Sequence, residues 1–265
     1  STQAYTIFYG DLLLTYSHKF TPDLTVKVMG GYTADKEAGY TTSVGTNGGL
    51  TTENRFDLTS SAQPQLNSGS NRNYLTKDAF LGTINADYKG YLFIEGTLRR
   101  DRTSTMNPSQ NSFVYPSVNA AFVLSEAVEL PAFVSYAKLR GSWGIVGNYP
   151  GAYAANVAYN LGNLGTQGVG GSVLTSTVST GQYGNDQIRP EQKHEIEFGL
   201  NSSFFANRVN LDVTYYNAKV VDMILPLSLA QSTGASSILT NIGSLRNTGL
   251  EIALSGEAVR RKDFS

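Results

Sequence analysis

The sequence contains no cysteine, which excludes disulfide bonds, thiolate metal ligands and cysteine nucleophiles from this chain. Its two histidines, His18 and His194, lie far apart in the sequence and form no paired metal-ligand motif. Charged residues make up 15% of the chain, below the share typical of soluble domains. The formal net charge is -1, which gives no basic patch for nucleic acid. We therefore expect no cofactor, no metal site and no nucleic-acid partner.

Long hydrophobic runs are also missing from the sequence. No run approaches the roughly 18 apolar residues that a membrane helix needs. The first residues, Ser1–Gly10, have no basic region, apolar core or cleavage site, so they do not form a signal peptide. We expect the sequence to begin inside a longer protein. Short apolar runs remain compatible with membrane β-strands, because such strands are apolar only at alternate residues.

What the sequence does contain is repeated alternation of apolar and polar residues with a period of two, which is typical of β-strands. In Tyr91–Arg100, one face carries Leu92, Ile94 and Leu98, and the other carries Glu95, Thr97 and Arg99. The first strand is interrupted by Gly10 and Asp11. The pattern predicts nine strands: Tyr5–Tyr16, Leu24–Thr33, Phe80–Tyr88, Tyr91–Arg100, Val114–Leu124, Leu139–Val146, His194–Asn201, Val209–Tyr216 and Gly249–Ser255.

The connections between these strands alternate in length, which predicts an antiparallel up-and-down meander with its long loops at one end. The short or medium connections are Ser17–Asp23, Lys89–Gly90, Ser125–Lys138 (which we expect to hold a helical turn) and Ala206–Arg208. The long connections are Asp35–Asp78, Asp101–Ser112, Asn148–Arg189 and Val221–Asn241. Outer-membrane barrels combine short periplasmic turns with long extracellular loops. The alternative that the same alternation allows is a soluble β-sandwich, such as a carbohydrate-binding module.

Five phrases of the sequence resemble the SusC/RagA family of TonB-dependent outer-membrane transporters, and they occur in the family's order. The phrases are Tyr88–Asp101 (ending in Arg-Arg-Asp), Tyr115–Phe122 (Tyr-Pro-Ser-Val), Leu139–Asn148 (Arg-Gly-Ser-Trp-Gly), Arg189–Leu200 (Arg-Pro-Glu) and Asn241–Glu251 (Asn-Ile-Gly-Ser-Leu-Arg-Asn-Thr-Gly). Tyr115 stands where the family often has Phe, and Phe122 where it often has Trp. Both positions therefore keep an aromatic residue.

The resemblance implies an all-β fold, an antiparallel up-and-down transmembrane β-barrel of 22 strands in the outer membrane. Residues 1–265 would supply about nine strands of this one β-barrel domain. The family's signal peptide, N-terminal accessory domain, plug and final strands would lie outside this sequence. The implied function is TonB-dependent import of glycans or peptides, without bond chemistry. The implied partners are a SusD-like surface lipoprotein, the TonB complex and outer-membrane lipid.

Aromatic residues in the longest connection are the candidate ligand contacts, because tyrosine rings stack on sugars and line peptide sites. They are Tyr149, Tyr153, Tyr159 and Tyr183. The alternative for each is packing within the loop itself.

Two groups of charged residues have both a structural and a functional interpretation. Glu195 and Glu197 lie on one face of one strand, so they favour a hydrated lumen wall, paired with a base such as Arg140, over glycosidase chemistry. Arg99, Arg100, Asp101 and Arg102 cluster where a strand meets a long loop. This cluster is either a solvated rim or an anchor for lipopolysaccharide phosphates, which arginine binds through two parallel hydrogen bonds.

Overall fold

Nine long antiparallel strands form one meandering sheet in the computed structural model, which confirms the predicted number of strands. The structure describes residues 1–157, 159–165, 172–178 and 181–257. The sheet contains β1 (Thr2–Thr21), β2 (Leu24–Gly45), β3 (Asn67–Tyr88), β4 (Leu92–Thr103), β5 (Ser112–Val123), β6 (Val134–Asn148), β10 (Glu191–Phe204), β11 (Val209–Val221) and β14 (Ser244–Gly256), paired in that order.

Short elements occupy the connections of this sheet. The predicted helical turn within Ser125–Lys138 is α1 (Leu124–Ala127). The connection from β6 to β10 holds β7 (Tyr159–Gly165), β8 (Ser172–Val178) and β9 (Gln182–Tyr183), and that from β11 to β14 holds β12 (Ile224–Ser228) and β13 (Ser237–Asn241). Single turns of 3-10 helix span Leu58–Ser60 and Gln231–Thr233. No helix among the described residues is long and apolar enough to cross a membrane.

The first three strands are longer than the sequence predicted. β1 continues through Gly10 and Asp11, which pair with Ala34 and Thr33 of β2. β2 and β3 pair from Leu24↔Tyr88 to Gly45↔Asn67, so the predicted loop Asp35–Asp78 shrinks to residues 46–66. The added part is mostly polar, with scattered apolar residues such as Tyr40 and Tyr74. It therefore lacks the regular alternation that marks a half-buried strand, although its backbone still completes the ladder.

The predicted up-and-down arrangement is confirmed, but the loop lengths alternate less cleanly than the sequence suggested. At one end of the sheet the connections are residues 22–23, 89–91, 124–133 and 205–208. At the other end they are residues 46–66, 104–111, 149–190 and 222–243. The connection 104–111 is shorter than the medium one, 124–133, because β4 and β5 extend into the predicted loop. The two ends remain distinct, since the three longest connections share one end.

One face of the sheet carries exposed apolar side chains on every one of its strands. From β1 to β10, the row of paired residues halfway along this face is Tyr16, Val28, Ile84, Gly96, Val118, Trp143 and Ile196. The row continues into the polar residues Asn217 of β11 and Thr248 of β14. Val118 is 47% exposed and Trp143 is 42% exposed. The predicted face of Leu92, Ile94 and Leu98 belongs to this same surface. A soluble β-sandwich would bury such a face against a second sheet, so exposure of the whole face contradicts the sandwich alternative.

Aromatic residues collect at the two borders of the apolar face, as in the girdles of membrane barrels. Near the short connections, the Tyr91 ring lies 5.6 Å from Tyr88 and 5.7 Å from Phe122, between ring centroids. Phe133 and Phe204 stack there at 6.4 Å. Near the long connections, the rings of Tyr32 and Phe80 are 4.9 Å apart. These borders frame a band that fits the hydrocarbon core of a bilayer.

Candidate functional site: the polar face and the loops above it

The opposite face of the sheet is polar. At the same height as the middle row of the apolar face, its paired residues form a continuous polar row. This row consists of Ser17, Lys27, Asn85, Glu95, Asn119, Ser142, Glu197 and Tyr216. The side-chain amide of Asn119 donates to Glu95 at 3.1 Å. Because side chains alternate across a strand, charges on this face stay off the apolar face. The polar face is therefore the water-facing wall of the lumen.

Arg140 is the centre of the ion-pair network on this wall. Its guanidinium donates to Asp212 at 2.9 Å and to Thr214 at 2.5 Å, and Asn201 also donates to Asp212. Arg140 stands on β6 and Asp212 on β11, so the side chain crosses the intervening strand β10. The predicted pairing of Arg140 with Glu195 or Glu197 is wrong. Glu195 instead pairs with Lys193 of its own strand at 2.7 Å.

Gly199 is what allows Arg140 to cross β10. Gly199 pairs with Arg140 on one side and with Thr214 on the other. A Cβ atom at Gly199 would lie far inside van der Waals contact with Nε of Arg140. The absence of a side chain at Gly199 therefore leaves the space through which the Arg140 side chain crosses β10. Period-two analysis overlooks this residue, because glycine carries neither an apolar nor a polar signal.

We expect Gly199→Ala to displace Arg140 and lower the unfolding temperature of the full-length barrel. The added methyl group occupies the path of the guanidinium, which then loses Asp212 and Thr214. In an Arg140→Ala background, Gly199→Ala should be nearly neutral, because the clash is gone. A double-mutant cycle should therefore give a coupling energy of about 0.5–3 kcal/mol. Additive effects of the two substitutions would contradict the proposed passage.

The wall around this network forms a concavity of about 620 Å³. Its lining includes Lys27, Asp87, Glu95, Arg140 and Glu197, so charges of both signs face the same space. Such a surface binds hydrated or polar groups. Within the described ranges, no group of three or more His, Asp or Glu residues could hold a metal ion. The arrangement favours binding and passage of polar solutes.

Hydrogen bonds join the two longest loops above the lumen wall into one unit. The Asn241 side chain accepts from the Arg189 backbone at 2.7 Å and donates to the Arg189 and Asp222 carbonyl oxygens at 2.7 and 2.8 Å. Glu191 accepts from the backbone N–H of Ile224 at 2.8 Å. β9 and β13 pair in parallel, which places the loops in one small sheet with β12. Loops that are joined in this way can present a ligand or partner surface.

The other loops are ordered by similar polar contacts. Gln110 of the connection 104–111 donates to Gln187 of the longest loop at 2.9 Å. In the connection 46–66, Asp57 caps the turn Leu58–Ser60. Hydrogen bonds from Thr59 and Arg55 lower the pKa of Asp57 to about 2. The contribution of the charged Asp57 cap to loop stability is therefore complete at any pH above the pKa that this carboxyl has in the unfolded chain. It is lost as the pH falls from there towards 2, where the carboxylate becomes protonated.

The four candidate tyrosines have different surroundings. Tyr149 packs beside Phe113 and Tyr115, with ring centroids 6.1 and 6.5 Å away, and burial raises the pKa of its hydroxyl. Tyr183 lies in β9, and its hydroxyl donates to the Thr233 carbonyl at 2.8 Å. Tyr153 is 54% exposed and Tyr159 is 58% exposed. Two candidates thus pack within the loops, whereas the other two present their rings to solvent.

Tyr115, which carries part of the resemblance, anchors the longest loop to the wall. The β5–β6 pairing ends at Ser117↔Gly144, next to Pro116, which has no N–H to donate. Beyond this point Tyr115 is buried, and its hydroxyl lies over Gly147. A Cβ atom at Gly147 would overlap that hydroxyl oxygen. The glycine therefore makes room for the ring that packs against Tyr149.

The apolar outer face, the polar lumen wall and the joined loops agree with a match to a known family. The model of the TonB-dependent receptor-like β-barrel matches residues 2–265. The chain belongs to this family. The TonB-dependent receptor barrel is an outer-membrane fold, which accounts for an exposed apolar face without any membrane helix. This family consists of transporters and receptors.

Curated relatives of the TonB-dependent receptor family cover most of the chain. TonB-dependent receptor P3 of Formosa agariphila is 26% identical over 95% of this chain and 25% of its own length. TonB-dependent receptor SusC of Bacteroides thetaiotaomicron is 26% identical over 71% of this chain and 19% of its own length. The chain thus spans about a quarter or less of the length of these relatives.

Solved structures confirm the barrel fold. The RagAB peptide transporter matches with a TM-score of 0.80 at 20% identity, over 98% of this chain and 29% of that one. The siderophore receptor PirA from Acinetobacter baumannii matches with a TM-score of 0.57 at 17% identity, over 97% of this chain and 35% of that one. The higher score with RagAB agrees with the resemblance noted in the sequence.

Proposed function

We propose that the full-length protein imports glycans or peptides across the outer membrane, driven by TonB. The observation that carries the proposal is the division of one sheet into a lipid face and a charged lumen wall, with joined loops at one end. In this proposal, residues 1–265 form part of a single β-barrel domain. The rest of the protein supplies the remaining strands of a 22-stranded barrel and the plug on which TonB acts. The protein performs no bond chemistry.

The capping partner in this proposal is a SusD-like surface lipoprotein. Support comes from the likeness to SusC and to the RagAB transporter. In this proposal the partner contacts β12, the edge strand of the loop sheet. Leu225 and Leu227 share one face of β12 and are 39% and 48% exposed. Apolar side chains on an exposed edge are typical of contact surfaces.

Uptake by cells tests the proposed function. A strain without the full-length gene should fail to accumulate fluorescent oligosaccharides or peptides that are too large for porins, and plasmid expression should restore uptake. A proton uncoupler should stop uptake and leave surface binding intact. Comparison of oligosaccharides with peptides assigns the substrate class. The proposal would be contradicted if the deletion strain still took up both oligosaccharides and peptides, or if the uncoupler did not reduce uptake.

The exposed tyrosines are the proposed ligand contacts. Tyr153→Ala and Tyr159→Ala should each weaken binding of the imported solute by about 0.5–1.5 kcal/mol, because each removes a ring available for stacking. Tyr183→Phe, which removes only the hydroxyl bonded to Thr233, is the matched control and should leave solute affinity unchanged. Isothermal titration calorimetry with the purified full-length protein measures the solute affinity of each variant. If both alanine variants kept the same solute affinity, Tyr153 and Tyr159 would not be ligand contacts.

A further inference from the structure

A group of basic side chains lies on the lipid side of the barrel at the end that carries the long loops. Arg100 is in the same paired row as Phe80 and Val114, at the border of the apolar band. Arg102 is in the next row towards the loops, paired with Asp78. Lys36 follows one row further, paired with Phe8 and Thr76. Because alternate residues share a face, all three bases project to the outside of the barrel.

The outer side of this rim carries more basic than acidic residues. Asp78 is the acidic residue of β2–β4 on the outer side of these rows, and Arg102 binds it at 2.8 Å. Three acids of the same strands project into the lumen instead, namely Asp35, Glu37 and Asp101. The outer patch of Lys36, Arg100, Arg102 and Asp78 therefore keeps a net positive charge of two, from three bases and one acid. The lumen side of the same strands has no such excess, because Lys77 and Arg99 accompany the three acids there.

Neighbouring side chains hold the two guanidinium groups in place. Nε of Arg100 donates to the Ser112 hydroxyl at 2.9 Å, and Nε of Arg102 donates to Asp78. Among the described residues, these are the only side-chain hydrogen bonds of the two arginines. The terminal nitrogens of each group keep four N–H donors, which is the set that binds phosphate through parallel bonds. Arg102 remains 60% exposed at its side chain despite its ion pair.

The height of this patch matches the headgroup layer of the membrane. From the Tyr88 row to the Phe80 row, the apolar face runs eight residues along β3. At about 3.3 Å per residue and a tilt of about 40°, this distance is roughly 20 Å across the membrane. Arg100 thus lies at the border of the apolar band, and Arg102 lies just outside it. Arginine and lysine at that depth meet lipid headgroups before they meet bulk water.

We propose that Lys36, Arg100 and Arg102 bind the phosphate groups of a phosphorylated glycolipid in the outer leaflet. Three observations support this site: outward projection, unbalanced positive charge and position at the border of the apolar band. The occupant is an anionic lipid, because a headgroup phosphate reaches the patch while its acyl chains cover the apolar face beside it. This inference rests on an orientation in which the long loops face the cell exterior, as they do in outer-membrane barrels.

Native mass spectrometry of the purified full-length protein tests the site with defined lipids. The probe is lipid A with two phosphates, compared with the same lipid after phosphate removal. Lys36→Gln/Arg100→Gln should weaken binding of phosphorylated lipid A by roughly tenfold or more, since it removes two charged donors. Lys77→Gln/Arg99→Gln removes the same charge from the lumen side of the same rim, so it is the matched control. The Arg102–Asp78 pair stays intact in both variants.

Four results decide whether the patch binds lipid phosphate. Loss of lipid A binding in the outward variant alone supports the site, and equal binding of the dephosphorylated lipid overturns it. Equal loss in the control variant also overturns it, because the charge effect would then be unspecific. If inorganic phosphate binds as tightly as lipid A, the site takes free phosphate and the lipid assignment is wrong.

A single substitution on each face serves if the double variant does not fold. Arg100→Gln is then compared with Arg99→Gln, and the same criteria apply. Solute uptake is measured in parallel with lipid binding. Failure of the lipid site is therefore distinguishable from failure of the import proposal.

Discussion

Val118→Arg should lower the free energy of unfolding of the full-length barrel by about 2–4 kcal/mol, the cost of a charge facing lipid near the bilayer midplane. Val118 lies in the middle row of the apolar band, between Gly96 and Trp143, and is 47% exposed. In the described part of the chain, no acidic side chain shares this row to offset the charge. Reversible unfolding by urea in lipid vesicles measures the difference.

The next residue along the strand provides the control. Asn119→Arg lies at the same depth on the lumen side, where Glu95 already accepts a hydrogen bond from Asn119. The new guanidinium would meet a carboxylate and water, so its effect should be much smaller. Equal losses of unfolding free energy in the Val118→Arg and Asn119→Arg variants would show that the two faces are wrongly assigned. The assignment of a lipid-facing band would then be wrong as well.

A cysteine at Glu53 should react with a membrane-impermeant maleimide on intact cells, whereas one at Arg208 should react only after the outer membrane is opened. Glu53 is exposed in the connection 46–66, and Arg208 is exposed in the connection 205–208 at the opposite end of the sheet. Consecutive antiparallel strands place alternate connections on opposite sides of a membrane. This chain contains no cysteine of its own, so it adds no background labelling.

Labelling on intact cells tests the orientation directly. The expected difference is nearly all or none, because the reagent does not cross the outer membrane. The reverse pattern would turn the joined loops towards the periplasm and would contradict the proposed solute and lipoprotein surfaces. Reaction at both positions on intact cells would contradict a spanning sheet. The side on which the long loops lie remains a prediction until such labelling is done.

Much of this architecture could be predicted from alternation alone. In Leu92–Leu98, the period of two separated the lipid face from the lumen face correctly, because a strand sends neighbouring side chains to opposite sides. The interruption predicted at Gly10 was wrong, since glycine weakens a strand without preventing its pairing. The ends of β2 and β3 were missed because most of their side chains are polar, which weakens the alternating signal.

The charge network and the candidate contacts were harder to predict. Arg140 was expected to bind a glutamate on the adjacent strand, but it reaches Asp212 two strands away across Gly199. Strand register and a neighbour's missing side chain decide such a pairing, and neither is visible in a local pattern. The tyrosine candidates were selected by residue type. Their burial differs because packing against Phe113 and the bond to Thr233 depend on how distant loops meet.

The sequence by itself determined the class of fold, the number of strands, the two faces and the end at which the longest loops lie. These follow from short-range alternation and spacing, which act through the geometry of each strand. Only the tertiary structure decided which loops join, which tyrosines are exposed and which charges pair. It also decided that the outer side of the rim carries an excess of basic residues, since Lys36, Arg100 and Arg102 share that side with the single acid Asp78. Those properties depend on register between strands distant in sequence, where a shift of one residue would reverse every face.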